Sequence, residues 1–170
     1  MNEKTSATTA TSDREIVITR IFDAPREKVW KAWTDPEEVK KWWGPKDYTA
    51  PHISIDFRVG GKYAYCMRGA GPDGVVRDFW SAGEHLEIVP MEKIVTTMSF
   101  ADEHDNPVPA SHYGIPGKWP AQIMATVIFE DVAGRKTKVT VREVGIPGVI
   151  AEFAHLGWEQ SFDKVAASLK

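Results

Sequence analysis

Apolar and polar positions alternate along most of this chain, and the alternation delimits its elements. Glu15 to Phe22 sets Ile16 and Ile18 against Val17 and Thr19 in a β-branched run, which predicts a first strand. Later, Ile53, Ile55 and Phe57 alternate with His52, Ser54, Asp56 and Arg58, the pattern of a half-buried strand. Gly60-Gly61 turns the chain into a strand over 62–68 that carries Tyr63, Tyr65 and Met67 on one face. The turn at 69–74 leads to a long, bent strand over 75–89 with Gly83 at a bulge. Pro90-Met91-Glu92 then turns into a strand over 93–100, and two more strands are predicted over 121–131 and 136–144, joined at Ala133-Gly134.

The period changes to that of a helix in three places. Asp23-Ala24-Pro25 opens a short helix with Val29, Trp30 and Trp33. Asp35-Pro36-Glu37-Glu38 supplies an N-cap, a first-position proline and a capping-box glutamate for a second helix, which Gly44-Pro45 stops. The last stretch, from Pro147 to the end, is about six helical turns long. Ala154, Trp158, Phe162, Val165 and Leu169 form one apolar stripe, while Phe153 and Leu156 fall opposite it, so the N-terminal half is expected to be covered on two sides. One irregular region remains, 101–120, with Pro107, Pro109, Pro116 and Pro120; loops of that length are often functional.

The order is β-α-α followed by six strands and a helix. Six hairpin-linked strands are antiparallel neighbours, and a sheet of that size curls. Only the terminal helix is long enough to fill the concave face, which makes the fold class α+β.

Composition fits one domain over 15–170: 170 residues, 42% hydrophobic and 26% charged. Residues 1–14, rich in Thr, Ser and Ala, read as a disordered tail, neither signal peptide nor membrane span. A net charge of −3 without a basic run argues against a nucleic-acid partner. A single cysteine, Cys66, excludes an internal disulfide and suits the reducing cytoplasm; mid-strand, with no neighbouring base, it reads as a buried, inert thiol.

Motifs for chemistry are few. Gly69, Gly71 and Gly74 match a dinucleotide fingerprint in spacing alone, because Val75-Val76 beyond them is strand-like, and a hairpin is the better reading. The run from Asp102 to Asp105 is a solvated acidic loop rather than a metal site, since successive loop residues point in different directions. His52, His85, His112 and His155 lack ligand spacing, and no Gly-x-Ser-x-Gly elbow is present. No metal or cofactor is expected.

The aromatics say more: seven Trp, seven Phe and four Tyr exceed what a core of this size requires. If the sheet wraps the helix, Trp43, Tyr63, Tyr65, Trp80 and Tyr113 converge with Trp119, Phe153 and Trp158. Phe57, Met98, Ile123, Leu156 and Gly157 complete an expected apolar cavity near the N-terminal half of the helix. Glu84, His112 and Gln122 are the candidate polar groups within it.

An ordered series of short motifs points to a family. Phe22-Asp23-Ala24-Pro25 with Val29-Trp30, Trp33-Thr34-Asp35-Pro36, Trp42-Trp43-Gly44-Pro45, Arg58-Val59-Gly60-Gly61, Gly83-Glu84 and Gly157-Trp158 resemble the homologues of the activator of heat-shock protein 90 ATPase. That family lies in the SRPBCC (START, birch-pollen-allergen-like) superfamily. The resemblance covers roughly 15–169 and implies a helix-grip fold, a seven-stranded antiparallel sheet around a long C-terminal helix with an apolar cavity between them. Superfamily relatives bind lipids, sterols or polyketides, and some catalyse cyclisation or aromatisation. No catalytic residue is carried over. The expected function is to hold a small hydrophobic or aromatic ligand. A cyclase/aromatase-like enzyme and a chaperone-contacting module are the alternatives, in a monomer or homodimer.

Overall fold

Hairpin connectivity and strand alternation dictate the architecture. The structure, a computed structural model, describes residues 15–71 and 73–170; the tail expected over 1–14 lies outside them. Seven strands run in the order β1-β7-β6-β5-β4-β3-β2, every neighbouring pair antiparallel. They are β1 (Glu15–Phe22), β2 (Thr49–Ile55), β3 (Lys62–Ala70), β4 (Val76–Val89), β5 (Lys93–Ala101), β6 (Ile123–Val132) and β7 (Lys136–Val144). Two short helices, α1 (Arg26–Thr34) and α2 (Pro36–Val39), follow β1, and α3 (Gly148–Ser168) ends the chain. This is the helix-grip α+β fold.

Several elements differ in detail from the sequence reading; α2 ends at Val39, followed by turns, rather than continuing to Gly44-Pro45. β2 begins at Thr49 and ends at Ile55, leaving Phe57 beyond it, because the chain is already turning where Arg58 N–H donates to the Asp56 carbonyl (2.9 Å). In β4 the register slips between His85 and Glu87, not at Gly83. Gly83 still has a role of its own, since a Cβ there would sit 1.9 Å from the Thr97 carbonyl oxygen. Around that close approach the β4–β5 ladder is interrupted, and side chains take over: the Tyr63 hydroxyl donates to the Thr97 carbonyl (2.6 Å) and Glu84 N–H donates to Thr97 Oγ1 (3.1 Å).

Alternation places Ile16, Ile18 and Phe22 of β1, Val127 and Phe129 of β6, and Val139 and Val141 of β7 on the buried inner face. Phe162 and Val165 of α3 are fully enclosed against them. Aromatic contacts knit this half: Phe22 to Phe162 at 5.6 Å and Trp33 to Phe129 at 5.6 Å edge-on, and Trp33 to Trp42 tilted at 4.7 Å. Arg20, on the inner face of β1, fixes the helix axially through Glu159 and Asp163, both at 2.8 Å. The C-terminal half of α3 is therefore anchored.

The N-terminal half is not covered on two sides. Phe153 is 60% exposed and Leu156 52% exposed, because the sheet reaches only one face of the helix and Leu156 turns to solvent. What holds this end is a polar clasp between α3 and the segment after α2. Ser161 Oγ donates to the Gly44 carbonyl (2.9 Å), and Lys164 Nζ donates to the carbonyls of Gly44, Pro45 and Tyr48 (2.9, 3.2 and 3.0 Å). No described helix is long and apolar enough to cross a membrane.

The two halves of α3 predict different responses to truncation. Phe162→Ala should lower unfolding free energy by about 3–5 kcal/mol, whereas Leu156→Ala should stay within about 0.5 kcal/mol. Urea titration of both variants checks this, and equal losses would contradict the anchoring described.

Candidate functional site

Small residues leave space where α3 leaves the sheet. Ala151, Ala154 and Gly157 occupy the N-terminal half of the helix, and between it and the inner face lies a cavity of about 280 Å³. Rings make its wall. Trp43 lies 4.6 Å from Tyr65 and 5.9 Å from Trp158, and Tyr65 lies 4.6 Å from Tyr63. Phe57, Met98 and Phe100 continue the surface. The 102–122 loop, with a 3-10 turn at Ala110–Tyr113, contributes Ile115 and Trp119, and Trp119 meets Phe100 edge-on at 5.0 Å.

On the floor of the cavity, polar side chains of β7, β5 and β4 fall on one line. The register pairs Glu143 of β7 with Ala125 of β6, Ala125 with Thr96 of β5, and Thr96 with His85 of β4, so Glu143, Thr96 and His85 share one inward row. All three line the cavity. The Nδ1 atom of His85 faces the Gly61 carbonyl at 3.0 Å; a carbonyl only accepts, so Nδ1 is the donor in this contact. Glu143 is enclosed, its accessible surface turned into the cavity. Burial pushes its carboxyl up to about 7, and the neighbouring Trp158 indole, which favours the charged form, offsets only part of this. Burial likewise raises the Tyr63 and Tyr65 phenols above their ordinary range, so both are neutral at physiological pH.

Of the residues singled out from sequence, Trp43, Phe57, Tyr63, Tyr65 and Met98 line the cavity, as do Trp119, Phe153, Gly157 and Trp158. The others lie elsewhere. Trp80 is paired with Cys66 on the outward side of β3 and β4 and stacks on His52 at 5.5 Å. Tyr113 is buried behind Phe79 (5.2 Å), its hydroxyl held between the Ala101 carbonyl (2.5 Å) and Trp80 N–H (3.2 Å). Ile123 is buried at the edge of the core, where it borders a separate hollow beneath the 107–121 segment. Leu156 faces solvent, and so do His112 and Gln122. Glu84 sits at the interruption of the β4–β5 ladder, outside the cavity lining.

Glu143 is the residue that the sequence reading missed. The signal was present: Thr137, Val139 and Val141 are all buried, and the same parity carries Glu143 inward. Elsewhere, Cys66 is buried, and its thiol is pushed up to about 11 by that burial. Asp102 closes a loop turn, accepting from the backbone of His104 (2.8 Å) and Asn106 (2.9 Å). Among the described residues no three His, Cys, Asp or Glu side chains converge as a metal site.

A carboxyl that titrates near 7 in the fold and near 4.5 when free favours the fold only while protonated. Its contribution is complete below about pH 4.5 and is lost as pH rises through about 7. Glu143→Gln should remove that slope and make the ligand-free protein about 2–3 kcal/mol more stable at pH 8, a gain of several degrees in Tm. Thermal unfolding of both proteins from pH 4 to 8 measures it; parallel curves would show that Glu143 is not buried as described.

With the fold and cavity in view, comparison with known proteins places the chain. No curated protein matches it. Among solved structures, one from Chromobacterium violaceum is 29% identical over 92% of this chain and 96% of that one, with a TM-score of 0.72. One from Arthrobacter aurescens is 28% identical over 94% and 87%, with a TM-score of 0.71. The AHSA1 protein from Silicibacter pomeroyi, 19% identical over 91% and 96%, shares the fold at a TM-score of 0.70. The family model for Activator of Hsp90 ATPase homolog 1-like protein matches residues 23–170, and the chain belongs to that family, whose helix-grip fold is a ligand-binding one.

Proposed function

We propose that this protein holds a small, largely apolar molecule bearing an aromatic or alicyclic body in the cavity between α3 and the sheet. The observation that carries the reading is the composition of the enclosure: three sides of aromatic and aliphatic surface and a single polar row on the floor. Such a division suits a ligand that buries a hydrophobic body and is oriented by few polar contacts. The expected cytoplasmic setting is compatible with it.

Glu143 supports a second reading, in which the bound molecule is also transformed. An enclosed carboxyl that titrates near neutrality exchanges a proton with a substrate at physiological pH, as general acid–base chemistry requires. The chaperone alternative has less behind it. On the outer face the exposed Val17 and Ile21 pair across strands with Arg142 and Lys138, and Ile128 pairs with Thr140. Charged and hydroxyl groups thus break up the apolar surface that a chaperone contact would use.

A filled cavity should lose its ligand. A molecule at a hundred times its dissociation constant stabilises the protein by about 2.7 kcal/mol, a readily visible thermal shift. A screen of lipids and aromatic compounds is expected to yield such shifts with the natural protein. Ala154→Trp, which places an indole in the cavity, should abolish them while keeping its circular dichroism spectrum. Shifts that survive this substitution would place binding elsewhere, and no shift from any compound would sink the reading.

A further inference from the structure

Among the described residues that line the cavity, no lysine or arginine appears, yet Glu143 does. A buried carboxylate without a cation is an incomplete site. The remaining groups show what is missing. Ser161 Oγ is spent on the Gly44 carbonyl, the Tyr63 hydroxyl on the Thr97 carbonyl, and the His85 Nδ1 proton on the Gly61 carbonyl. What the protein leaves turned toward the cavity is accepting capacity in the ionised Glu143 carboxylate, beside the Thr96 and Tyr65 hydroxyls, which both donate and accept. A ligand group that meets the Glu143 carboxylate must donate hydrogen bonds rather than accept them.

The ring geometry narrows the donor further. Trp43, Tyr65 and Trp158 stand around the same space as Glu143, and aromatic faces attract positive charge. We propose that the ligand's polar end is a protonated amine, paired with the Glu143 carboxylate and flanked by the faces of Trp43, Tyr65 and Trp158, with the apolar body running along the row toward Thr96 and His85. This rests on the cavity being a ligand site. Three strand spacings separate Glu143 from His85, about 14 Å along the sheet, which gives room for an arylalkylamine or an alicyclic amine of similar length.

The groups facing Glu143 support the assignment from each packed element. β1 offers Ile16 and β6 offers Ala125, neither titratable. Across the cavity, α3 presents the Trp158 indole, β3 the neutral phenols Tyr63 and Tyr65, and β4 the more distant His85. An ammonium group is the partner that would restore ordinary acidity to this carboxyl, and it would do so without displacing any existing hydrogen bond named above.

Two probes of matched size, 4-phenylbutylamine and 4-phenylbutan-1-ol, test the inference by isothermal titration calorimetry. The amine stays charged at pH 8.0 and pH 5.5, as an alkyl ammonium does, so only the protein titrates between them. At pH 8.0 the amine should bind about tenfold tighter than the alcohol, as one charge-assisted contact provides. The preference should shrink severalfold at pH 5.5, where Glu143 is protonated, and Glu143→Gln should bring the amine down to the alcohol at both pH values. The pH comparison uses the unmodified protein and stands even if the variant folds poorly. Equal binding of both probes at pH 8.0, or a preference untouched by pH and by Glu143→Gln, overturns the amine assignment while leaving the cavity as an apolar ligand site. Binding of neither probe overturns the assignment and the ligand-site reading together.

Discussion

The anchoring of α3 by only one of its halves is the constraint on which the rest of the structure depends. A curled seven-stranded sheet presents more inner surface than one helix covers, and the helix must choose where to pack. Phe162 and Val165 settle it against β1, β6 and β7, with Arg20 gripping Glu159 and Asp163 from the strand side. At the other end Ala154 and Gly157 bring little bulk to the cavity wall. Packing at one end and small side chains at the other together make a cavity, and neither would do so alone.

That cavity stays open because its rim is tied by polar rather than apolar contacts. Lys164 gathers three carbonyls from the segment after α2; burial lowers the pKa of its ammonium group, and the nearby Asp47 offsets part of that shift. The arrangement fixes Trp43 and Pro45 beside the helix without filling the space between them. On the far side the long loop uses Tyr113 as a strut under Phe79 and Phe100, so the loop's contribution to the site is partly indirect. Residues that shape a pocket and residues that line it are different sets here.

The same distinction explains what was legible in the sequence. Strand alternation and turn residues carried the element order, and β1 and β7 begin and end where the pattern places them. Residue type misled at the site. Trp80 and Tyr113 are aromatic and lie near the cavity in sequence space, but Trp80 has the parity of Cys66 and points outward, while Tyr113 sits behind the wall. Glu143 was passed over for the opposite reason: a glutamate at the end of a strand reads as a solvent-facing residue unless register is followed across β1, β7 and β6. Hydrophobic patterning identifies the faces of a sheet well and identifies a polar exception on the buried face poorly.

Glu143 also links stability to occupancy. Without a ligand its ionisation is opposed by burial, with the Trp158 indole offsetting part of that cost. Above neutral pH the unliganded fold therefore carries an uncompensated charge on its inner face, and any ligand that supplies a donor or a positive charge there relieves that penalty on binding. The carboxyl that makes the empty protein less stable is thus the group that makes a complementary ligand bind more tightly. A glutamine in its place would separate the two effects; in the proposed binding mode a single side chain on β7 sets both how the fold tolerates alkaline pH and which ligand it prefers.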